Sequence, residues 1–173
     1  MFRKSYLIFV FSLLILTAGN THYAISQPPS FMNPSFFRSY IGYYGEQRAG
    51  RSNPHWGLDI TGSVPGQIEA ANVFASESGR VSKVGYESTG AGKYIEIDHG
   101  NGYVTRYLHL QENINVKEEQ EVTRGMTIGY VGRTGNAEGP HLHFEILYLG
   151  IPLNPLDFLP NAFLYVCRSV ASG

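Results

Sequence analysis

From residue 27 onward, apolar residues recur with a period of two, in short runs rich in Val, Ile, Tyr and Thr and bounded by Gly and Asn. The runs cover residues 55–61, 79–85, 94–98, 102–110, 127–131 and 142–149. That period belongs to strands with one face packed and the other turned to solvent. No stretch long enough for a globular helix carries a helical stripe. Between two of the runs, Asp98-His99-Gly100-Asn101-Gly102 is a hairpin signal, because Asn and Gly accept positive φ at both turn positions. The pattern predicts a mostly antiparallel β protein without internal repeats or low-complexity tracts. Residues 27–42, punctuated by Pro and aromatic residues, read as a linker and lead-in strand, and a short helical turn or two is expected within 155–169, around Pro160.

The first 26 residues follow another rule. Arg3 and Lys4 precede an uncharged run, strongly apolar over residues 7–16, which gives way to small and polar residues. That run is shorter than the roughly 20 residues a membrane-spanning helix needs. With Ala24-Ile25-Ser26 as a small-x-small site before Gln27, it reads as an export signal over residues 1–26, cleaved to leave no stable membrane span, with an uncleaved N-terminal anchor as the alternative.

Composition narrows the class. A 173-residue chain with 43 % hydrophobic and 16 % charged residues fits one compact domain and neither a disordered chain nor a charged helical rod. A net charge of −1 lacks the basic footprint of a nucleic-acid binder, so no nucleic-acid partner is expected. The single cysteine, Cys167, permits no internal disulfide and reads as a small buried hydrophobe within an apolar stretch. In an exported protein the fold must then be held by its core, a metal or both.

Candidate chemistry rests on the six histidines. His22 lies before the expected cleavage site and His99 in the hairpin turn, where it is expected to face solvent. In His55-Trp56-Gly57-Leu58-Asp59, Pro54 and Gly57 disfavour a helix, and on an extended segment His55 and Asp59 share a face. In Gly139-Pro140-His141-Leu142-His143-Phe144-Glu145-Ile146, a strand would put His141, His143 and Glu145 on one face and Leu142, Phe144 and Ile146 on the other. His109 follows Tyr103, Thr105 and Tyr107 at alternate positions and is expected on their face. Catalytic zinc takes three protein ligands from His, Asp, Glu or Cys and leaves a position for water. Two of these imidazoles and one carboxylate satisfy that rule, with two imidazoles left to handle protons.

The order His55-x-x-x-Asp59, Tyr107-Leu108-His109-Leu110, Gly132-Arg133-Thr134-Gly135 and Gly139-Pro140-His141-Leu142-His143-Phe144-Glu145 resembles the lysostaphin/LytM-type zinc metallopeptidases, a family of peptidoglycan endopeptidases. The likeness extends to a glycine-arginine lead-in at Gly45-Glu46-Gln47-Arg48, to residues 73–81 and 89–99, and to Asn154-Pro155. It spans residues 43–157, with 158–173 as a C-terminal tail. The resemblance implies an all-β fold, a small antiparallel β barrel or two-sheet sandwich with the zinc site in a groove over one sheet. It implies that His55, Asp59 and His143 bind Zn²⁺ and that His109 and His141 are the catalytic pair, with Glu145 and Tyr107 as supporting partners. Trp56 reads as a wall of the site or core. The implied protein is a monomeric enzyme of the periplasm, cell envelope or exterior that hydrolyses peptide bonds in peptidoglycan cross-links or stem peptides. Its groove loops, rather than the zinc residues, select the bond. Where many relatives carry Ser and Thr, this chain has Asn136-Ala137-Glu138-Gly139.

The alternative is a non-enzymatic module of the same fold that activates a cell-wall amidase. Such modules characteristically lack some of the ligands and catalytic histidines, whereas all five positions are filled here.

Overall fold

The structure is a computed structural model that describes residues 29–36, 39–50, 52–64 and 66–159. The expected export signal, His22 and Cys167 lie outside the described residues. The strands, in chain order, are β1 (Ser39–Gly42), β2 (Leu58–Thr61), β3 (Asn72–Phe74), β4 (Gly79–Glu87), β5 (Gly92–Asp98), β6 (Tyr103–Leu110), β7 (Glu121–Val122), β8 (Thr127–Tyr130), β9 (Leu142–Tyr148) and β10 (Ile151–Leu153). A 3₁₀ turn, Pro155–Asp157, follows, capped by the Asn154 side chain accepting from the Leu156 amide. Among the described residues no helix is long and apolar enough to cross a membrane.

All pairings are antiparallel, and the two-sheet form is the one adopted. The large sheet runs β1-β2-β9-β6-β5-β4-β7, with β10 also paired to β9, and β3 and β8 form a small second sheet. Alternation assigns the faces. Ile95 and Ile97 of β5, Tyr107 of β6 and Leu142, Phe144 and Ile146 of β9 point inward and meet Val73 and Ile128 of the small sheet in one buried cluster. Phe31, from the lead-in, completes that core. The hairpin forms as the sequence implies: the Tyr103 amide donates to the Gly100 carbonyl across Asn101 and Gly102, at φ 52° and 84°. That turn matches the right-handed twist of the strands it joins.

His99 departs from expectation. Instead of facing solvent it is half-buried, its Nδ1–H donating to the Ser78 carbonyl at 2.9 Å and its Nε2 lying 2.7 Å from Thr105 Oγ1. Its ring meets Phe31 edge-on at 5.3 Å. The turn carries only backbone requirements, so the imidazole is free to fold inward and satisfy buried polar groups.

The face of β6 is corrected as well. Tyr103, Thr105 and Tyr107 lie on the core side, where the Tyr107 hydroxyl meets Ser76 and Thr105. His109 does not share it. Between the pairs Ile95↔Tyr107 and Lys93↔Leu110, one residue of β5 faces two of β6, Leu108 and His109. His109 sits at φ 63° in this bulge. An extra residue inverts the alternation beyond it, so Leu110 returns to the core while His109 joins Leu108 on the outer face.

Candidate metal centre

The outer face of the large sheet, over β2, β9 and β6, gathers His55, His109, His141 and His143. Register does the first part of the work: Asp59 of β2 pairs with His143 of β9, which pairs on its other side with Leu108 of β6. His55 precedes β2, which begins only at Leu58 because Gly57 turns the chain close beneath His143. A Cβ at Gly57 would stand 2.5 Å from the Phe144 carbonyl oxygen and 2.7 Å from His143 Nε2. His141, directly before β9, brings its ring 4.8 Å from that of His109, and His109 lies 6.0 Å from His143.

His55, Asp59 and His143 are all buried, and one ligand atom from each lies within 4.8 Å of the others. Asp59 Oδ1 is 3.1 Å from His55 Nε2 and 2.7 Å from His143 Nδ1, and these nitrogens are 2.9 Å apart. The outer atoms fix what the inner ones present. His55 Nδ1 is 2.9 Å from the Tyr43 carbonyl oxygen, which can only accept, so Nδ1 carries the proton and Nε2 of the neutral ring is bare. His143 Nε2 is 2.9 Å from Glu145 Oε1, so the neutral ring likewise turns a bare Nδ1 inward. Three acceptors thus converge on one point, the donor set that suits a divalent cation of the zinc type. Burial opposes charge on His143, yet the carboxylates of Asp59 and Glu145, one against each ring nitrogen, outweigh it and raise its pKa. Burial likewise opposes the Asp59 carboxylate, yet its contacts with His143 and His55 and the hydrogen bond from the Arg48 guanidinium still hold it well below the usual carboxylate range.

The partners of His143 continue outward. Glu145, on the same face of β9, takes Arg106 Nη1 at 2.8 Å, and Arg106 Nε reaches Glu96 at 3.0 Å. Burial alone would raise the pKa of Glu145, but the hydrogen bond from His143 and the charge of Arg106 lower it, so it stays an acceptor. Tyr107 is not a partner of the site, since it lies in the core against Phe144.

The other two imidazoles repeat the design. His109 Nδ1 donates to the Thr134 carbonyl at 2.9 Å and His141 Nδ1 to the Gly139 carbonyl at 2.9 Å. Each neutral ring therefore offers Nε2 as an acceptor, and His141 Nε2 is 3.7 Å from Asp59 Oδ1. Burial lowers both pKa values; for His109 burial, with His141 and His143 nearby, brings it to about 4. Trp56 is half-exposed and leans toward Tyr44, with ring centroids 6.2 Å apart, so it stands at the rim and outside the core.

The one neighbour that sequence reasoning noted without giving a role is Arg48, whose Nη2 pairs with Asp59 Oδ2. Its glycine-arginine lead-in was the signal, but nothing local linked it to Asp59.

An outer sheet face holding two imidazoles and a carboxylate around one point, with two more neutral imidazoles beside them, is a cluster that could hold a metal ion. The chain belongs to Peptidase family M23, matched over residues 53–155, a family of zinc metallopeptidases. Peptidoglycan DD-endopeptidase ShyC of Vibrio cholerae is 37 % identical over 135 residues, 75 % of this chain and 30 % of that protein. Murein hydrolase activator NlpD of Escherichia coli is 40 % identical over 105 residues, 61 % of this chain and 26 % of that one. The chain thus spans less than a third of the length of these curated relatives. Among solved structures, a zinc-containing peptidase from Vibrio cholerae superposes with a TM-score of 0.61 at 36 % identity, covering 72 % of this chain and 39 % of the other. The catalytic domain of lysostaphin from Staphylococcus simulans gives 0.59 at 28 % identity, covering 68 % and 88 %.

Proposed function

We propose that this protein is an exported, monomeric zinc endopeptidase that hydrolyses peptide bonds of peptidoglycan cross-links or stem peptides. In this reading residues 43–157 form the peptidase domain, residues 1–26 are the export signal, and His55, Asp59 and His143 hold Zn²⁺. The observation that carries it is the common build of the four imidazoles: each spends its outer N–H on a carbonyl or carboxylate and turns a bare nitrogen to the same face. The similarity to ShyC and lysostaphin supports the substrate class.

Zinc held there supplies Lewis-acid polarisation of the scissile carbonyl and a more acidic water. His109 and His141 are the catalytic pair. Kept neutral by burial, their Nε2 atoms are poised to accept the proton of the attacking water. The imidazole that takes the proton becomes a donor at Nε2 and hands it to the leaving nitrogen as the C–N bond breaks. The products are a carboxyl and an amine, and the imidazole is neutral again. Carbonyls of Thr134 and Gly139 hold both rings in the required tautomer throughout.

The similarity to NlpD favours a second reading, a module that activates a cell-wall amidase. The complete set of five residues supports the enzyme. The purified chain, analysed for metal and incubated with peptidoglycan with and without a chelator, separates the two by mass spectrometry of the released fragments. The enzyme yields one zinc per chain and chelator-sensitive peptide cleavage. A folded, zinc-supplied chain that releases nothing alone but stimulates an amidase establishes the activator.

A further inference from the structure

We propose that Arg48 is a positioning residue for Asp59, and that Gly42 is glycine because the space above it belongs to their ion pair. This inference rests on the reading of His55, Asp59 and His143 as a metal site.

The two oxygens of Asp59 have separate duties. Oδ1 faces His55, His143 and His141, while Oδ2 is taken by the Arg48 guanidinium. A carboxylate on a short side chain can rotate about its last bond, which would exchange the two oxygens or present both. Arg48 blocks that rotation from outside the cluster. The Asp59 side chain is 4 % exposed, so its second oxygen has little access to water and needs this partner. Arg48, at 31 % exposure, arrives from the segment between β1 and β2, far from any register that could have fixed it.

Gly42 supplies independent geometry. It ends β1, at an irregularity in the pairing with β2. A Cβ there would overlap both Arg48 Nη2 and Asp59 Oδ2 and would stand 3.0 Å from Asp59 Cγ. Its φ is not positive, so the position demands glycine for room alone. The backbone of β1 therefore forms the floor on which the guanidinium and the carboxylate meet.

Charge and positioning predict opposite signs. A guanidinium beside a cation site repels the cation, so a purely electrostatic Arg48 would weaken zinc binding, and its removal would tighten it. If Arg48 instead fixes the orientation of Asp59, removal weakens binding, on the order of ten- to a hundredfold, as for other residues that orient metal ligands.

The test measures zinc dissociation constants of the full chain by competition with a chromophoric chelator, for the parent, Arg48→Gln and Gly42→Ala, with folding followed by circular dichroism. Gly42→Ala keeps the arginine and its charge but displaces it. Both variants are expected to fold and to bind zinc about ten- to a hundredfold more weakly. With Co²⁺ as probe, both should also change the intensity of the visible absorption band, which a role in folding alone would leave unaltered. Arg48→Gln binding zinc as tightly as the parent or more tightly, with an unchanged Co²⁺ spectrum, overturns the inference. A parent that binds no zinc overturns it together with the proposed function, which distinguishes the two failures.

Discussion

Leu108 and His109, neighbours in β6, face the same side of the sheet. Leu108 packs there with Ala91 and Tyr94, and His109 reaches toward His141, while Tyr107 before them and Leu110 after them are in the core. Strict alternation would have sent His109 inward to a place beside Tyr107. The bulge, with His109 at φ 63°, converts a core-facing position into a site-facing one. Its backbone is anchored on both sides, the His109 amide donating to the Ala91 carbonyl and the Gly132 amide to the His109 carbonyl.

His109→Ala should therefore leave the three converging acceptors intact and remove one bare nitrogen. The expected result is a chain that keeps its zinc and loses roughly 100-fold or more in peptidoglycan cleavage, the usual scale of a proton-transfer group. His143→Ala should lose metal and activity together. Elemental analysis beside a cleavage assay checks both, and normal turnover by His109→Ala would end its assignment to the catalytic pair.

Glu145 holds the outer proton of His143, and a neutral amide in its place holds it less well. Glu145→Gln should lower zinc affinity about tenfold or more without unfolding the sheet, since the amide oxygen can still accept from His143. Zinc competition titration measures this, and an unchanged dissociation constant would reduce Glu145 to a partner of Arg106.

Gly57→Ala should fail for a packing reason. Its Cβ would press on the Phe144 carbonyl, which belongs to the central ladder and cannot yield, and on the His143 ring. A loss of about 1–3 kcal/mol in a denaturant titration, with weaker zinc binding, is expected. Parent-like stability would show that the segment before β2 shifts freely.

His99 sets a pH dependence far from the metal centre. Burial pushes its pKa below 6.5, against the carbonyl of Ser78, so the folded protein favours the neutral ring. As pH falls, the unfolded chain takes up this proton first, and the contribution to stability present above about 6.5 is lost toward the lower folded value. His99→Gln removes that term. Denaturation midpoints of parent and variant should differ most near pH 8 and converge as pH falls below about 6.5; a constant gap would exclude the ring as the source.

The strands that carry the site were legible because one face of each is packed. Leu142, Phe144 and Ile146 declare by alternation which way His143 and Glu145 point, and Asn101-Gly102 declares the turn. The two-residue β7 and three-residue β10 left no such trace, because strands that short complete no period. The bulge at His109 was hidden for a related reason: alternation read along one strand assumes the register of its neighbour, and the extra residue exists only relative to β5. His99 read as a solvent-facing turn residue because its partners, Ser78, Thr105 and Phe31, come from three other segments.

By itself the sequence determined the class of structure, the residue types of a candidate metal site and the faces of β9, all of which follow from local period and chemistry. Tertiary structure alone decided that Asp59 and His143 sit in register, that β6 bulges to turn His109 outward, and that Arg48 meets Asp59 over a bare glycine. These depend on distances between segments far apart along the chain, which no local pattern encodes.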